Sequence, residues 1–311
     1  MLNNRGPQPE NSRKVFITGG TGFLGKSLAS RLTAQGHQVT ILTRRIKDND
    51  QPLQKNVYLE GDPTLSGSWQ DAVKEHDVII NLAGASIFSR WTEERKKQIR
   101  DSRILTTQHL VEALEPRKAK ETLLINASAV GYYGFQGDDL LDENSPSGSD
   151  YLASVTVDWE KAARAAEQFG VRVVICRFGI ILGEEGGALK KLTKIVKLGL
   201  GAPLGSGKQW FSWIHRSDLI DVILYILSFH EIRGPVNCTS PQPVTNRELM
   251  KGLGKALKRP VFLPPIPGFL LKLVLGEFGN TLLKGQRVYP AKLTSSGFAF
   301  KYPTLESALS S

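Results

Sequence analysis

Cysteine is scarce in these 311 residues: Cys176 and Cys238 sit inside apolar runs, with no CxxC spacing. That argues against a disulfide framework or a thiolate metal site and predicts two buried free thiols, as in a reducing, cytoplasmic setting. Histidine is nearly as rare, with five residues and no His/Cys cluster, so no metal is expected. Long apolar runs are missing too. A bilayer span takes roughly 20 residues, and the most apolar late stretch, Phe269 to Leu275, is short and carries Lys272. A membrane partner is therefore not expected. The opening dozen residues, MLNNRGPQPENS, lack the apolar core of a signal peptide and read as a disordered tail over 1–12. Acidic charge is in deficit, giving a net +10, but the basic residues are scattered. Their densest runs, RKK at 95–97 and KK at 190–191, lie in helical patterns. They read as solvated helix faces, so no nucleic acid partner is expected.

What is present is an alternation of strand and helix patterns. Strands are predicted at Lys14–Thr18, Gln38–Thr43, Val57–Glu60, Asp77–Asn81, Thr122–Ala127 and Arg172–Arg177. Helices are predicted at Phe23–Gln35, Thr92–Leu114 and Leu152–Phe169. The strands are almost continuously apolar, as in a parallel sheet covered on both faces. The fold class is α/β, a Rossmann-type doubly wound sheet with a smaller, mostly helical C-terminal lobe. After Gly183 the rhythm breaks. A glycine-rich loop follows at Gly199–Gly207, then helices at Ser217–Phe229 and Thr245–Leu257, a short strand at Val236–Cys238 and a proline-rich bend at Leu263–Gly268. The core is assigned to 13–183 with a later strand near 236–239. The lobe is assigned to 184–214 and 240–311, at the C-terminal ends of the strands where open sheets bind ligands.

Between the first strand and the first helix stands TGGTGFLG, Thr18–Gly25. Gly19 permits the tight turn, Gly22 lets backbone approach a pyrophosphate, and Gly25 lets helix pack on strand. Thr21, Phe23 and Leu24 complete the turn at the helix N-terminus, whose N–H groups and dipole favour phosphate. At the end of the second strand, where an acid would bind ribose hydroxyls, stand Thr43, Arg44 and Arg45, with no acid before Asp48. Two guanidiniums suit a 2′-phosphate, so the expected cofactor is NADP(H). Asp62, Leu82, Ala83, Gly84 and Ala127, at or just past the ends of later strands, complete the cofactor set.

With NLAG at 81–84, NASAVGYYG at 126–134 and RFGIILG at 177–183, the chain resembles the extended short-chain dehydrogenases/reductases, which include UDP-sugar epimerases and dehydratases. SRWTEERKKQIRDSRILTT at 89–107, LGSGKQWFSWIHRSDL at 204–219 and the tail from Leu263 to Leu309 resemble one atypical branch more closely. This is the epimerase-family SDR39U1-like group, with its small DUF1731-type C-terminal domain over 263–311. The resemblance implies an NADP-binding core and a substrate lobe.

It also implies a Ser-Tyr-Lys set with the last two spaced YxxxK, in which Tyr moves the proton and Lys lowers its pKa. Ser128 matches the serine. Tyr151 falls near the tyrosine position, but four residues on stands Val155, and the next lysine, Lys161, belongs to another helix face. A lone tyrosine with a pKa near 10 is a poor base. Tyr133, with Tyr132 beside it, is an alternative phenol, and His215 an alternative proton carrier. Asp218 or Ser217 is expected to cap the helix after it. Trp210, Phe211 and Trp213 either line a pocket or pack a core, Trp91 is expected to face the same cleft, and Arg177 reads as an ion-pair partner. Two functions follow. One is an NADP-dependent epimerase or reductase moving hydride on a small, sugar-nucleotide-like substrate, with a homodimer as the candidate assembly. The other is a catalytically impaired NADP-binding sensor or regulator.

Overall fold

The computed structural model describes residues 12–46, 56–117, 121–183 and 186–311. Residues 1–11, most of the expected tail, and Asp48 lie outside them. Seven strands form the main sheet: β1 (Lys14–Thr18), β2 (Gln38–Thr43), β3 (Val57–Glu60), β4 (Val78–Asn81), β5 (Leu123–Ala129), β6 (Arg172–Phe178) and β7 (Gly234–Cys238). Their spatial order is β7-β6-β5-β4-β1-β2-β3. The pairs β1–β2, β1–β4, β2–β3 and β4–β5 are parallel. The order turns outward in both directions from β1 and β4, as in a Rossmann sheet, and such a sheet binds its ligand where the direction changes. Burial explains the apolar runs. Val15, Phe16 and Ile17 of β1 and Val78, Ile79 and Ile80 of β4 are wholly enclosed, whereas the edge strand β3 is partly open to solvent.

By its internal contacts the chain forms two compact units. The first comprises Met1–Gly84, Asp101–Ala127 and Lys161–Val174, and the second Ala85–Arg100, Ser128–Glu160 and Ile175–Ser311. In the first, helix α1 (Phe23–Ala34) buries Leu24, Leu28 and Leu32, the stripe its sequence spacing predicts. A short helix α2 (Trp69–Val73) precedes β4.

Two long helices, α3 (Glu93–Leu114) and α4 (Tyr151–Arg164), run through both units. The first begins with Glu93 and Glu94, acids that complement the positive end of the helix dipole. Asp150 starts α4 by accepting from the amides of Leu152 (2.9 Å) and Ala153 (3.1 Å).

The second unit holds helices that the sequence reading left unassigned as well as the two that it predicted after Gly183. Helix α5 (Gly187–Lys197) follows the point where the rhythm breaks. Then come α6 (Arg216–Ser228), α7 (Asn246–Ala256), α8 (Gly268–Leu275) and α9 (Glu277–Leu282). A capping box closes α7, with the Thr245 side chain accepting from the Glu248 amide and Glu248 reaching back. Trp213 is fully buried in a core with Leu182, Leu249, Met250 and Leu253, and its Nε1 donates to the Gln242 carbonyl. Phe211 packs against the same core. Of the two readings for these rings, core packing is what the structure shows. The cysteines are free and buried.

The turn between β1 and α1 is held by backbone proximity. Gly19 adopts φ +70°, and a Cβ there would lie 2.7 Å from the Leu82 carbonyl. A Cβ on Gly25 would fall 2.3 Å from the Gly19 oxygen and 2.6 Å from the Gly20 Cα. Both are backbone atoms that cannot yield cheaply. Gly25→Ala is therefore expected to destabilise the protein by about 1–3 kcal/mol or more, the cost of overpacking. Urea denaturation checks this, and an unchanged midpoint would show that the helix can ride away from the turn.

Candidate cofactor turn and buried polar network

The glycine turn of the first unit has the shape of an anion cradle. Helix α1 starts at Gly22 with no side-chain cap and no acid in its first turn. Gly22 itself has ordinary extended angles (φ −78°, ψ 177°), and the single atom crowding a Cβ there is the Gly19 oxygen at 3.2 Å. Its missing side chain leaves open space in front of the helix, whereas those of Gly19 and Gly25 leave room for the protein's own backbone. Gly20, which the sequence reading passed over, serves packing: its Cβ would collide with Ile41 of β2 at 2.7 Å.

At the end of β2, Arg44 and Arg45 are exposed. Neither guanidinium has an ion-pair or hydrogen-bond partner among the described residues. Thr43 Oγ1 donates to the Arg45 carbonyl (3.1 Å), shaping the turn that carries both. Asp62 Oδ1 accepts from the amide (2.9 Å) and hydroxyl (2.7 Å) of Thr64, a turn closed by its own side chain.

Beneath the turn lies a polar cluster that the sequence reading missed. Asn81 and Asn126 end the apolar runs of β4 and β5, and both are fully buried. Thr18 donates to Asn81 Oδ1 (2.6 Å), and Asn81 Nδ2 donates to Asn126 Oδ1 (2.7 Å) and Thr107 Oγ1 (2.9 Å). Asn126 Nδ2 donates to the Ala127 carbonyl (2.8 Å), and Asn81 Oδ1 also accepts from the Ala83 amide (3.3 Å). The amides thus lock strand ends that carry Leu82, Ala83 and Ala127. The Arg103 guanidinium lies against Gly84, where a Cβ would approach its Cζ to 3.2 Å. The available signal was a polar residue closing each otherwise apolar strand.

In the second unit, Ser128 and Tyr133 belong to one buried network. Ser128 Oγ donates to Glu160 Oε1 (2.7 Å). Arg177 grips the same carboxylate with two bonds, Nε to Oε1 (2.8 Å) and Nη2 to Oε2 (2.9 Å), and gives a third to the Tyr133 hydroxyl (3.0 Å). Tyr133 donates in turn to Asn237 Oδ1 (2.6 Å), and the Tyr132 ring covers the guanidinium at 3.4 Å. Arg177 and Glu160 are 2% and 3% exposed. This is the ion-pair role expected for Arg177; Glu160, its partner, had no sequence signal beyond a charge on a helix face. Burial pushes the Tyr133 phenol up to about 12, more than the Arg177 charge pulls it down, so at neutral pH it keeps its proton. Burial alone would lower the Arg177 pKa, but its bond to Glu160 and that carboxylate's charge turn the net shift upward. With its proton directed at Glu160, Ser128 offers lone pairs outward and acts as an acceptor.

Tyr151 and His215 have separate surroundings. The Tyr151 hydroxyl donates to the Lys96 carbonyl (2.7 Å), and its ring packs edge-on to Trp91, which also touches Phe278. Val155 is buried and Lys161 exposed, so no lysine of α4 accompanies this tyrosine. The cation over its ring is Lys96 of α3, 5.4 Å away, itself paired with Glu93 and Glu277. His215 is the N-cap of α6: its Nδ1 accepts from the Ser217 amide (3.2 Å), which leaves Nε2 to donate to Ser311 Oγ (3.3 Å). The expected cap, Asp218 or Ser217, is thus corrected to His215, because the imidazole reaches the free amide first. Asp218 instead accepts from the amides of Lys301 (2.8 Å) and Tyr302 (3.0 Å). Burial, with the nearby Arg216 charge, lowers the His215 pKa to about 4.

An open α/β sheet with a glycine turn at its switch point, an uncapped helix start and two exposed arginines after the second strand defines a Rossmann-type dinucleotide-binding protein. The chain belongs to the NAD dependent epimerase/dehydratase family, whose model matches residues 15–238, and a domain of unknown function, DUF1731, matches 266–311. It is 41% identical over 304 residues to the epimerase family protein SDR39U1 homolog, chloroplastic, of Arabidopsis thaliana, covering 97% of this chain and 87% of that one. The crystal structure of human epimerase family protein SDR39U1 with NADPH superposes with a TM-score of 0.81 at 32% identity, covering 96% of this chain and 98% of that one. A nucleoside-diphosphate sugar epimerase from Corynebacterium glutamicum superposes at 0.77 and 32% identity, covering 96% of this chain and 57% of that one.

Two outcomes test the network and the cap. Glu160→Gln strands a buried guanidinium and is expected to cost about 3–5 kcal/mol, read from urea denaturation; a loss below 1 kcal/mol would contradict the pairing. Because the folded pKa of His215 lies below its ordinary 6.5, the unfolded chain takes up the proton first as pH falls. The stability it contributes is complete above pH 6.5 and is lost on descending to about 4. His215→Asn keeps a capping oxygen and should flatten the stability profile in that window.

Proposed function

We propose that the chain is an NADP(H)-dependent epimerase- or reductase-like enzyme acting on a small, sugar-nucleotide-like substrate. The observation that carries the cofactor choice is the pair Arg44 and Arg45, exposed after β2 without a partner among the described residues. Arginine can hold a 2′-phosphate bidentately, and an acid at that place would repel it. The open cradle at Gly22 fits a pyrophosphate, and the human relative's structure holds NADPH. The name of the Corynebacterium relative supports the substrate class. Once bound, NADP(H) supplies hydride exchange at the nicotinamide C4.

The chain's own residues set the rest. Ser128 is the candidate to hold the substrate oxygen, and its hydrogen bond to Glu160 makes it an acceptor from a hydroxyl rather than a donor to a carbonyl. Tyr133 stays protonated and serves as a wall and an orienting phenol. Tyr151 must release the Lys96 carbonyl before it can take part in proton transfer. The two free thiols fit a reducing compartment, and the cytoplasm is the proposed place. A second reading, a cofactor sensor with little turnover, draws on Val155 standing where the family lysine belongs and on the occupied Tyr151 hydroxyl.

Titration of nicotinamide fluorescence tests the first step. NADPH is expected to bind much more tightly than NADH. Arg44→Ala with Arg45→Ala should erase the preference, since each charge-assisted bond contributes about 1.5–3 kcal/mol. Gly22→Val should abolish binding of both cofactors while the chain stays folded, because its backbone angles suit a branched residue. Equal affinity of the parent protein for NADPH and NADH would sink the cofactor assignment. Single-turnover oxidation of bound NADPH by candidate sugar nucleotides separates the two readings.

A further inference from the structure

Helix α8, GFLLKLVL, is almost wholly apolar, yet it buries none of its residues. Phe269 is 68% exposed, Leu273 72% and Val274 67%, and Phe262, just before the proline-rich bend, is 73% exposed. Phe269 and Leu273, and likewise Leu270 and Val274, are spaced i, i+4, so all four share one stripe of the helix. Three more exposed aliphatics, Ile195, Leu198 and Leu200, follow from the end of α5. Eight of the fourteen large hydrophobic side chains exposed among the described residues therefore fall within two segments, 195–200 and 262–274.

The segments carrying them are joined. Gly201 lies against Val196 and Val261, whose methyls a Cβ would approach to 3.0 and 3.2 Å. The bend pairs with the glycine-rich loop, the Ile266 amide donating to Pro203 (2.8 Å) and the Gly205 amide to Ile266 (2.9 Å). Lys191 of α5 sits over Phe88 at 5.3 Å, and Phe88 meets Phe278 of α9 edge-on at 5.9 Å. Helix α9 packs on α8 through Gly279, which has no room for a Cβ beside the Leu271 carbonyl (2.5 Å).

Basic residues surround these segments. Lys190, Lys191, Lys194 and Lys197 are exposed along α5. Lys251, Lys255, Lys258 and Arg259 line one surface depression together with Val261. Lys272 lies on α8 itself. Of these nine cations only Lys255 has an ion-pair partner among the described residues, Glu306 at 2.7 Å.

We infer that this face docks on a bilayer that carries anionic lipids. Apolar side chains flanked by lysine and arginine are what an interfacial surface requires: the first enter the acyl boundary while the second meet lipid phosphates. A contiguous apolar patch on a protein that folds without covering it marks an interaction surface. A second copy is the poorer occupant, because a two-fold contact sets a patch against itself, cation rim against cation rim. The expectation that no membrane partner exists rested on the absence of a span. Peripheral docking needs none, and no described helix is long and apolar enough to cross a membrane.

Co-sedimentation of the full chain with vesicles tests this. Binding is expected to vesicles of phosphatidylcholine containing phosphatidylglycerol, to fall steeply as salt is raised, and to be weak with phosphatidylcholine alone. Leu273→Asp with Val274→Asp should lower partitioning at least tenfold while the urea midpoint stays unchanged, since both side chains are exposed. Lys251→Glu with Lys258→Glu should do the same, at about fivefold or more per charge, the equivalent of the ~1 kcal/mol a basic side chain gains at such a surface. The inference is overturned by any of three results: no sedimentation with phosphatidylglycerol vesicles, equal binding to neutral vesicles, or a concentration-dependent dimer that Leu273→Asp dissociates in a protein that ignores lipid.

Discussion

The bidentate pairing of Arg177 with Glu160 is the constraint on which the second unit depends. It places an arginine from the sheet strand β6 and a glutamate from α4 almost out of water, where either alone would be strongly unfavourable. Everything near them is arranged to complete the pair. The Tyr132 ring covers the guanidinium, Tyr133 accepts its third bond, and Ser128 donates a hydrogen bond to the carboxylate. Through Tyr133 the network reaches Asn237 of β7, whose amide is held by Glu143 (3.0 Å) and whose Nδ2 donates to the Tyr289 carbonyl (3.0 Å). A single charge pair thus fixes the rotamers of the serine and tyrosine that the family motif brings to the end of β5. Chemistry at Ser128 must therefore work with a hydroxyl whose proton is already directed at Glu160.

Much of the first unit was legible in the sequence because its forces are local. Apolar runs of four to six residues gave β1, β2 and β4. The stripe Leu24, Leu28, Leu32 gave α1, and the glycines of TGGTGFLG marked backbone that must come close to backbone. Boundaries moved by a residue or two where caps decided them, as at Glu93 in place of Thr92. The second unit was harder. Helix α5 follows a glycine pair and carries four lysines, so its apolar face is narrow and reads as a charged surface stretch. Helix α8 looks like a core segment in sequence, yet among the described residues nothing buries its side chains. Glu160 is one charge among several on a helix whose exposed positions also carry charge; that it turns inward depends on Arg177, seventeen residues later. Asn81 and Asn126 could have been read as deliberate, since a lone amide at the end of a buried strand demands a partner.

The cofactor set and the catalytic candidates therefore stand on different ground. The glycine turn and the two arginines follow from spacing along one strand–helix–strand segment, and the structure supplies the reason for each glycine separately: two make room for the protein's own chain and one leaves space beyond it. Tyr151 was selected by its place in the family motif, and Tyr133 and His215 by residue type. Their hydroxyls and ring nitrogens turn out to be engaged with a backbone carbonyl, an asparagine and arginine, and a helix end. Proton carriers are found by geometry, and sequence alone gives only the roster from which geometry chooses.

The paired thiols of the sheet have a use that comes from their burial. Cys176 on β6 and Cys238 on β7 are adjacent enough that burial and the other thiol both raise the Cys238 pKa. A thiol-specific reagent can reach either only when that part of the sheet opens. Alkylation rates of the unmodified protein would accordingly report local opening of the β6–β7 edge in native conditions. The chain carries its own built-in clock for that motion, with no engineered label needed.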